Sequence, residues 1–285
     1  MCTKIIAITG SSGFLGSHLI NCFKKDFLTI DLDLKKINSV NEITSFLKKN
    51  RVTNVINCVG GKSIGHSKLF PMKDFDSNLK VPTKLLYSLS NLKNTIHFTH
   101  ISSAAVYGEQ SPLHQQLFQP SPYANHKKIF ENILKLNPNT LKHTLIVRPF
   151  SVYGPGLKKQ LLWDAYHKII DRKKENIFFG TGEEKRNFIF VEDAINILKQ
   201  HVLTNSVGQI DLASPFVITT FKLVETLKKS LKINDPVIFD QCVDKGNPFK
   251  LSQQENKLII PYNSFTSLDY GINKYVKWIK KYTLK

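Results

Sequence analysis

The chain has 285 residues, 41% of them hydrophobic, and carries 40 Lys and Arg against 22 Asp and Glu for a net charge of +18. This is enough apolar material for one large core or two modest ones, while no apolar run approaches the roughly 18 residues needed to cross a bilayer. Cys2, Cys22, Cys58 and Cys242 form neither a C-x-x-C pair nor a disulfide framework, so a cytoplasmic protein is expected, with no leader before the first strand and no membrane partner.

The positive excess is almost all lysine, scattered in pairs such as Lys24–Lys25 and Lys48–Lys49, and the arginines are Arg51, Arg148, Arg172 and Arg186. Nucleic-acid sites favour the planar arginine fork and continuous basic blocks. Nucleic acid is therefore not the expected partner, and a lysine-rich solvated surface accounts for the charge. No histidine or cysteine spacing suggests a metal site, and His66, His100 and His126 read as loop or surface residues.

In chain order, KIIAIT (4–9) reads as a buried strand, followed by Gly10, Gly13 and Gly16 at three-residue spacing and a helix-periodic FLGSHLINCF. Glycines in such a turn let the backbone approach a pyrophosphate, and the following helix presents free N–H groups to it. Gly10, Gly13, Phe14, Leu15 and Gly16 are the candidate cofactor loop. FLTIDLDL then gives a second strand ending at Asp31, an acid placed to hold an adenosine ribose and to repel a 2′-phosphate, which favours NAD and leaves NADP open. Asp33 is the neighbouring candidate. The next strand is missing, since KKINSVNEITSFLKKNR already reads as a helix and VTNVINCVGG as the strand after it.

The alternation continues with a helix near 75–92, a strand at 95–102 (TIHFTHIS), a helix opened by SPYANHKKIFENIL (121–134) and a strand at 143–150 (HTLIVRPF). Such alternation predicts an α/β fold, a doubly wound, Rossmann-like parallel sheet. Tyr123 and Lys127, four residues apart, share a helical face and can share a pocket, although a surface pair would have the same spacing. Beyond Phe150 the pattern loosens into SVYGPGLKKQ, which marks a seam. A dinucleotide-binding domain over 1–155 and a smaller C-terminal substrate-binding lobe over 156–285 are expected, with about 188–214 returning to the main sheet and NKYVKWIKKY (273–282) as a closing helix.

Five segments in this order, TGSSGFLGSH (9–18), SSAAVYG (102–108), PYANHK (122–127), RPFSVYGPG (148–156) and GTGEEKRNFIFVEDA (180–194), resemble the extended short-chain dehydrogenase/reductase family, in particular its nucleotide-sugar epimerases. The resemblance covers about residues 4–280. It implies hydride transfer between NAD and the sugar of a nucleotide-activated sugar, at C4. Tyr123 would be the acid and base, Ser103 would hold the reacting oxygen, and Lys127 would hold the nicotinamide ribose and lower the phenol pKa. Ser102 remains the alternative to Ser103. Gly60, Lys62, Asn78 and Phe150 are implied at the cofactor, although a solvated Lys62 is equally compatible with the sequence. Ser151 and Arg186 are implied at the substrate, where a guanidinium can hold a diphosphate bidentately. A structural ion pair of Arg186 with Glu192 or Asp193 is the other reading of that arginine. Ser151 stands where these epimerases usually have asparagine, which keeps a nucleotide-sugar 4-ketoreductase open. Ala104 and Ala105 stand where a 4,6-dehydratase needs an Asp–Glu pair. A homodimer is implied as well, and a non-catalytic dinucleotide-binding protein with an RNA or protein partner is the remote alternative.

Overall fold

The structure is a computed structural model that describes residues 4–37, 39–61, 63–92, 96–111, 114–118, 121–171, 177–240 and 264–283. The chain begins with β1 (Ile5–Thr9), α1 (Phe14–Phe23), β2 (Leu28–Asp31), α2 (Val40–Lys49), β3 (Asn54–Asn57), α3 (Ile64–Leu69) and α4 (Pro71–Phe75). A π-helical turn at Asp76–Lys80 runs into α5 (Val81–Ser90), followed by β4 (His97–Ile101), a 3-10 turn at Ala104–Tyr107, β5 (Glu109–Ser111) and β6 (His114–Phe118). Next come α6 (Pro122–Lys135), α7 (Pro138–Leu141), β7 (Thr144–Pro149), β8 (Ser151–Tyr153), α8 (Gln160–Ile170), β9 (Ile177–Phe179) and β10 (Lys185–Phe190). The rest comprises α9 (Val191–Leu203), β11 (Gly208–Leu212), β12 (Val217–Thr219), α10 (Thr220–Leu231), β13 (Ile238–Asp240) and α11 (Leu268–Thr283).

Six strands form one parallel sheet in the order β11-β7-β4-β3-β1-β2. Strand β2 is its edge, in keeping with the missing strand after FLTIDLDL. Ala7, Val55, Phe98 and Ile146 pack one face against Ile43 and Leu47 of α2, Leu85 and Leu89 of α5, and Phe130 and Leu134 of α6. Ile6 and Ile8 alternate to the other face and are equally buried. A sheet covered on both sides explains why its strands read as continuous apolar runs. The doubly wound α/β fold expected from the sequence is what the structure shows.

Two compact units divide the chain. The first comprises 1–108, 117–149 and 195–212, and the second comprises 109–116, 150–194 and 213–285. The chain therefore returns to the large sheet from Ile195, within α9. Phe188–Phe190, expected to return with it, belongs to β10 in a separate sheet of the second unit, β12-β10-β8, where it pairs parallel with Ser151–Tyr153 of β8. Strands β9 and β13 make a further parallel pair. In this unit Gly271 of α11 lies so close to the Tyr153 hydroxyl and the Phe190 ring that a Cβ there would collide with both.

Candidate active site

The order of the large sheet reverses direction between β1 and β3, and open α/β sheets bind ligands outside the strand C-termini at such a point. The two turns that leave β1 and β3 meet there. Gly10, at φ +65°, sits so close to the chain after β3 that an added Cβ would lie 2.9 Å from the Cys58 carbonyl carbon and the Val59 nitrogen. A Cβ on Gly16 would collide with the Gly10 carbonyl. Gly13 donates its N–H to the Gly10 carbonyl at 2.9 Å and is the N-cap of α1, with no side-chain cap and no acid in the first turn. Phe14 and Leu15 open that turn. Its backbone N–H groups and dipole suit a phosphate. Asp31 is exposed at the C-terminal end of β2, opposite Ile8 of β1, and Asp33 caps its own turn by accepting from the Lys35 amide. Lys62 lies outside the described residues.

The turn after β3 meets α6. A Cβ on Gly60 would lie 3.1 Å from both Asn78 Oδ1 and Lys127 Nζ, so three of the expected cofactor residues converge on one backbone position. Asn78 is fully buried and accepts from the Gly61 amide at 2.9 Å. Ser121 caps α6 by accepting from the Ala124 amide, and Pro122 fills its first turn. Lys127, only 3% exposed, donates to the Ile101 carbonyl at 2.7 Å. Burial lowers its pKa to about 8, while Cys58, Asp74 and Glu131 act the other way.

Ser103 and Ser102 have separate surroundings. Ser102 is buried and donates to Glu131 Oε1 at 2.6 Å; Glu131 also holds Arg148 through bonds of 3.0 and 2.5 Å. Ser103 Oγ accepts from the Ala105 amide at 3.1 Å. Desolvation raises the Tyr123 phenol, the Ser103 hydroxyl acts to lower it, and the Asp74 charge raises it again, so the net direction is upward. That is opposite to the direction expected from a neighbouring ammonium. Ser103 supplies the lowering influence, while burial and a carboxylate absent from the expected set outweigh it.

The sequence reading missed that carboxylate, Asp74. It is 1% exposed, accepts from Asn78 Nδ2 at 2.8 Å, and lies 2.8 Å from His126 Nδ1. His126, expected at the surface, is therefore a partly buried partner of Asp74. His100, expected in a loop or at the surface, is fully buried on β4 between Asn57 and Phe130.

Phe150, Ser151 and Arg186 belong to the second unit. Phe150 and Ser151 are partly buried, and Ser151 pairs with Phe188 across β8 and β10. Arg186 lines a cavity of about 230 Å³ with Leu161, Asp164, Ala165, Lys168, Phe178, Glu184 and Thr220. Its buried Nε has no hydrogen-bond partner among the described residues. Desolvation lowers its pKa and Glu184 opposes the shift. The structural alternative does not form, because Glu192 pairs with Lys274 at 3.0 Å and Asp193 accepts from the Thr266 amide and hydroxyl. Among the described residues no helix is long and apolar enough to cross a membrane.

Residues 6–210 match the model of the NAD dependent epimerase/dehydratase family. An uncharacterized UDP-glucose epimerase of Bacillus subtilis, YtcB, is 23% identical, and the alignment covers 96% of this chain and 97% of that protein. The structure is similar to the UDP-N-acetylglucosamine 4-epimerase of Methanobrevibacter ruminantium, solved with UDP-N-acetylmuramic acid, at a TM-score of 0.82 and 21% identity over 99% of this chain and 100% of that one. It is also similar to the UDP-glucuronic acid 4-epimerase of Bacillus cereus, solved with UDP-glucuronic acid and NAD, at a TM-score of 0.76 and 20% identity over 98% of this chain and 100% of the other. The glycine turn, the parallel sheet that carries it and the match over most of the chain lead to one conclusion: this chain belongs to the NAD dependent epimerase/dehydratase family.

Proposed function

We propose that the protein is a nucleotide-sugar epimerase acting at C4 of the sugar, with Tyr123 as acid and base. The observation that carries this reading is the helix α6, whose Tyr123 is influenced by Ser103 of the turn after β4 and whose Lys127 reaches the glycine turn after β3. Gly10, Gly13 and Gly16 leave the open backbone that a pyrophosphate needs, and Asp31 could hold the adenosine ribose, so the residues present fit NAD. Bound there, NAD would supply the hydride acceptor and donor. The chain's own part is proton handling. Tyr123 takes the proton of the C4 hydroxyl as it becomes a carbonyl and gives it back to the same oxygen when the hydroxyl re-forms with C4 inverted, and Ser103 orients that oxygen by hydrogen bonding. Lys127 anchors the ribose beside them.

In the second unit the Arg186 guanidinium, with an orphaned buried donor, suits a diphosphate, and the adjacent cavity with Phe178 suits the base of a nucleotide. Ala104 and Ala105, both buried in the turn after Ser103, leave no acid–base pair for dehydration. The test is incubation of the purified protein with UDP-, dTDP-, GDP- and CDP-sugars. Epimerised sugar formed without added reductant, and lost on the order of 10²–10⁴-fold in Tyr123→Phe, is the expected result. Stoichiometric NAD(P)H consumption with a keto sugar would replace this reading with a ketoreductase, and full activity of Tyr123→Phe would remove Tyr123 from the chemistry.

A further inference from the structure

Lys127 is a buried cation in an unusual setting. Its bond to the Ile101 carbonyl is to a neutral group, and among the described residues no carboxylate lies within ion-pair distance of its ammonium. A charge so buried is expensive unless an opposite charge offsets it. Three groups act to hold its proton: Cys58, Asp74 and Glu131. Burial pushes the Cys58 thiol up to about 12, so it is uncharged where Lys127 titrates. Glu131 is already matched by Arg148, which reaches both of its oxygens. His100, fully buried on β4, is held neutral by desolvation and by Lys127. On the other elements packed against α6, Asp76 and Lys80 pair at 3.4 Å on the surface, His66 rests against Phe70, and Tyr107 donates to Asp211. Lys68 and Lys73 are exposed and Lys84 is partly buried, and all three are cations. The remaining counter-charge is Asp74.

The geometry around Asp74 is tight. Its side chain has no exposed surface, and a Cβ on Gly61 would collide with its Oδ1. The same Oδ1 accepts from Asn78, whose other end accepts from the Gly61 amide and borders Gly60 and Lys127. Its Oδ2 faces His126 Nδ1, and because an ionised carboxylate only accepts, the imidazole donates. Phe75 closes over His126 edge-on at 5.6 Å. Asp74 is thus fixed by two donors against Gly61, and Lys127 meets the neighbouring Gly60.

We propose that Asp74 is a positioning residue, the buried counter-charge that keeps the Lys127 ammonium protonated beside Tyr123, and that His126 is the donor that locks it in place. The proposal rests on the reading of Tyr123 and Lys127 given above but goes beyond it, since neither residue of the pair touches the reacting atoms. It also accounts for the upward direction at Tyr123, because the charge that favours an ammonium disfavours a phenolate.

The test needs no substrate and no turnover. The Lys127 side chain is titrated by NMR in the full chain with ¹³Cε-lysine, its resonance assigned by its disappearance in Lys127→Met. Tyr123 is followed through phenolate absorbance by difference from Tyr123→Phe. Asp74→Asn keeps an acceptor for Asn78 and can donate to the other imidazole tautomer, so it removes charge while preserving both bonds. It is expected to lower the Lys127 midpoint by about one pH unit and to lower Tyr123 in the same direction. An unmoved or raised Lys127 midpoint overturns the proposal. His126→Gln, which keeps the carboxylate and a donor, is expected to leave Lys127 in place or raise it, and a fall equal to that in Asp74→Asn would show packing rather than charge at work. Should Asp74→Asn not fold, the reciprocal measurement decides: Lys127→Met must raise the Asp74 carboxyl midpoint, and no rise refutes the coupling. An unmoved Lys127 leaves the epimerase reading intact, and an inactive sugar panel leaves the titration result intact.

Discussion

Tyr123 and Lys127 lie one helical turn apart and are perturbed in opposite directions, the phenol upward and the ammonium down to about 8. For Lys127 this sets a stability profile. Between about pH 8 and the ordinary lysine value of 10.5 the unfolded chain binds more protons than the folded one, so stability rises with pH across that window. The contribution is on the order of 3 kcal/mol when complete. Urea unfolding of the cofactor-free protein should show a midpoint that climbs from pH 7.5 to 9.5, and Lys127→Met should flatten most of that climb. Arg186 makes a separate case. Arg186→Ala is expected to raise the KM or Kd for a nucleotide sugar roughly 10- to 100-fold, as loss of a charge-assisted bond would. NAD binding should be nearly unchanged, and equal loss of both would place Arg186 elsewhere. Residues of this kind are legible in sequence when their partners are near in the chain. Gly10, Gly13, Gly16, Tyr123 and Lys127 announce themselves by spacing, whereas Asp74 and His126 meet across 52 positions and nothing local pairs them.

Helix α6 gathers the large sheet around one buried ion pair. Glu131 on this helix takes Ser102 from the end of β4 and Arg148 from β7, and the Arg148 guanidinium lies 4.7 Å from the Tyr107 ring centroid, whose hydroxyl donates to Asp211 of β11. Glu131→Ala would leave Arg148 buried without its counter-charge, at a cost of about 3–5 kcal/mol. Chemical denaturation measures this directly, and a loss below about 1 kcal/mol would mean that water or another group replaces the carboxylate. The alternation of strands and helices in the first unit was readable because each element carries its own periodicity. The π-helical turn at Asp76–Lys80 was not, since the helix expected near 75–92 contains no residue that marks a change of winding. That turn carries Asn78, the residue that links Asp74 to Gly61. The short strands β8, β9, β12 and β13 were equally hidden, being three residues each and too brief for alternation to show.

At the scale of the molecule, the +18 charge is borne mainly by lysines, and several of these serve local ends: Lys199 pairs with Asp26, Lys274 with Glu192, and Lys158 lies 3.8 Å from the Tyr282 ring centroid. The glycine- and proline-rich stretch after Phe150 lies beside one boundary between the two units, while nothing in the sequence marks the other boundaries. Residues 109–116 leave the first unit early, and 195–212 rejoin it late. This has a consequence for biosynthesis. Strand β11 is the outer neighbour of β7, yet it is translated only after the whole of 150–194. Until it emerges from the ribosome, β7 presents an unsatisfied row of amides and carbonyls of the sort that recruits foreign strands. A nascent chain paused before residue 208 therefore carries β7 with an open edge that only β11 goes on to cover.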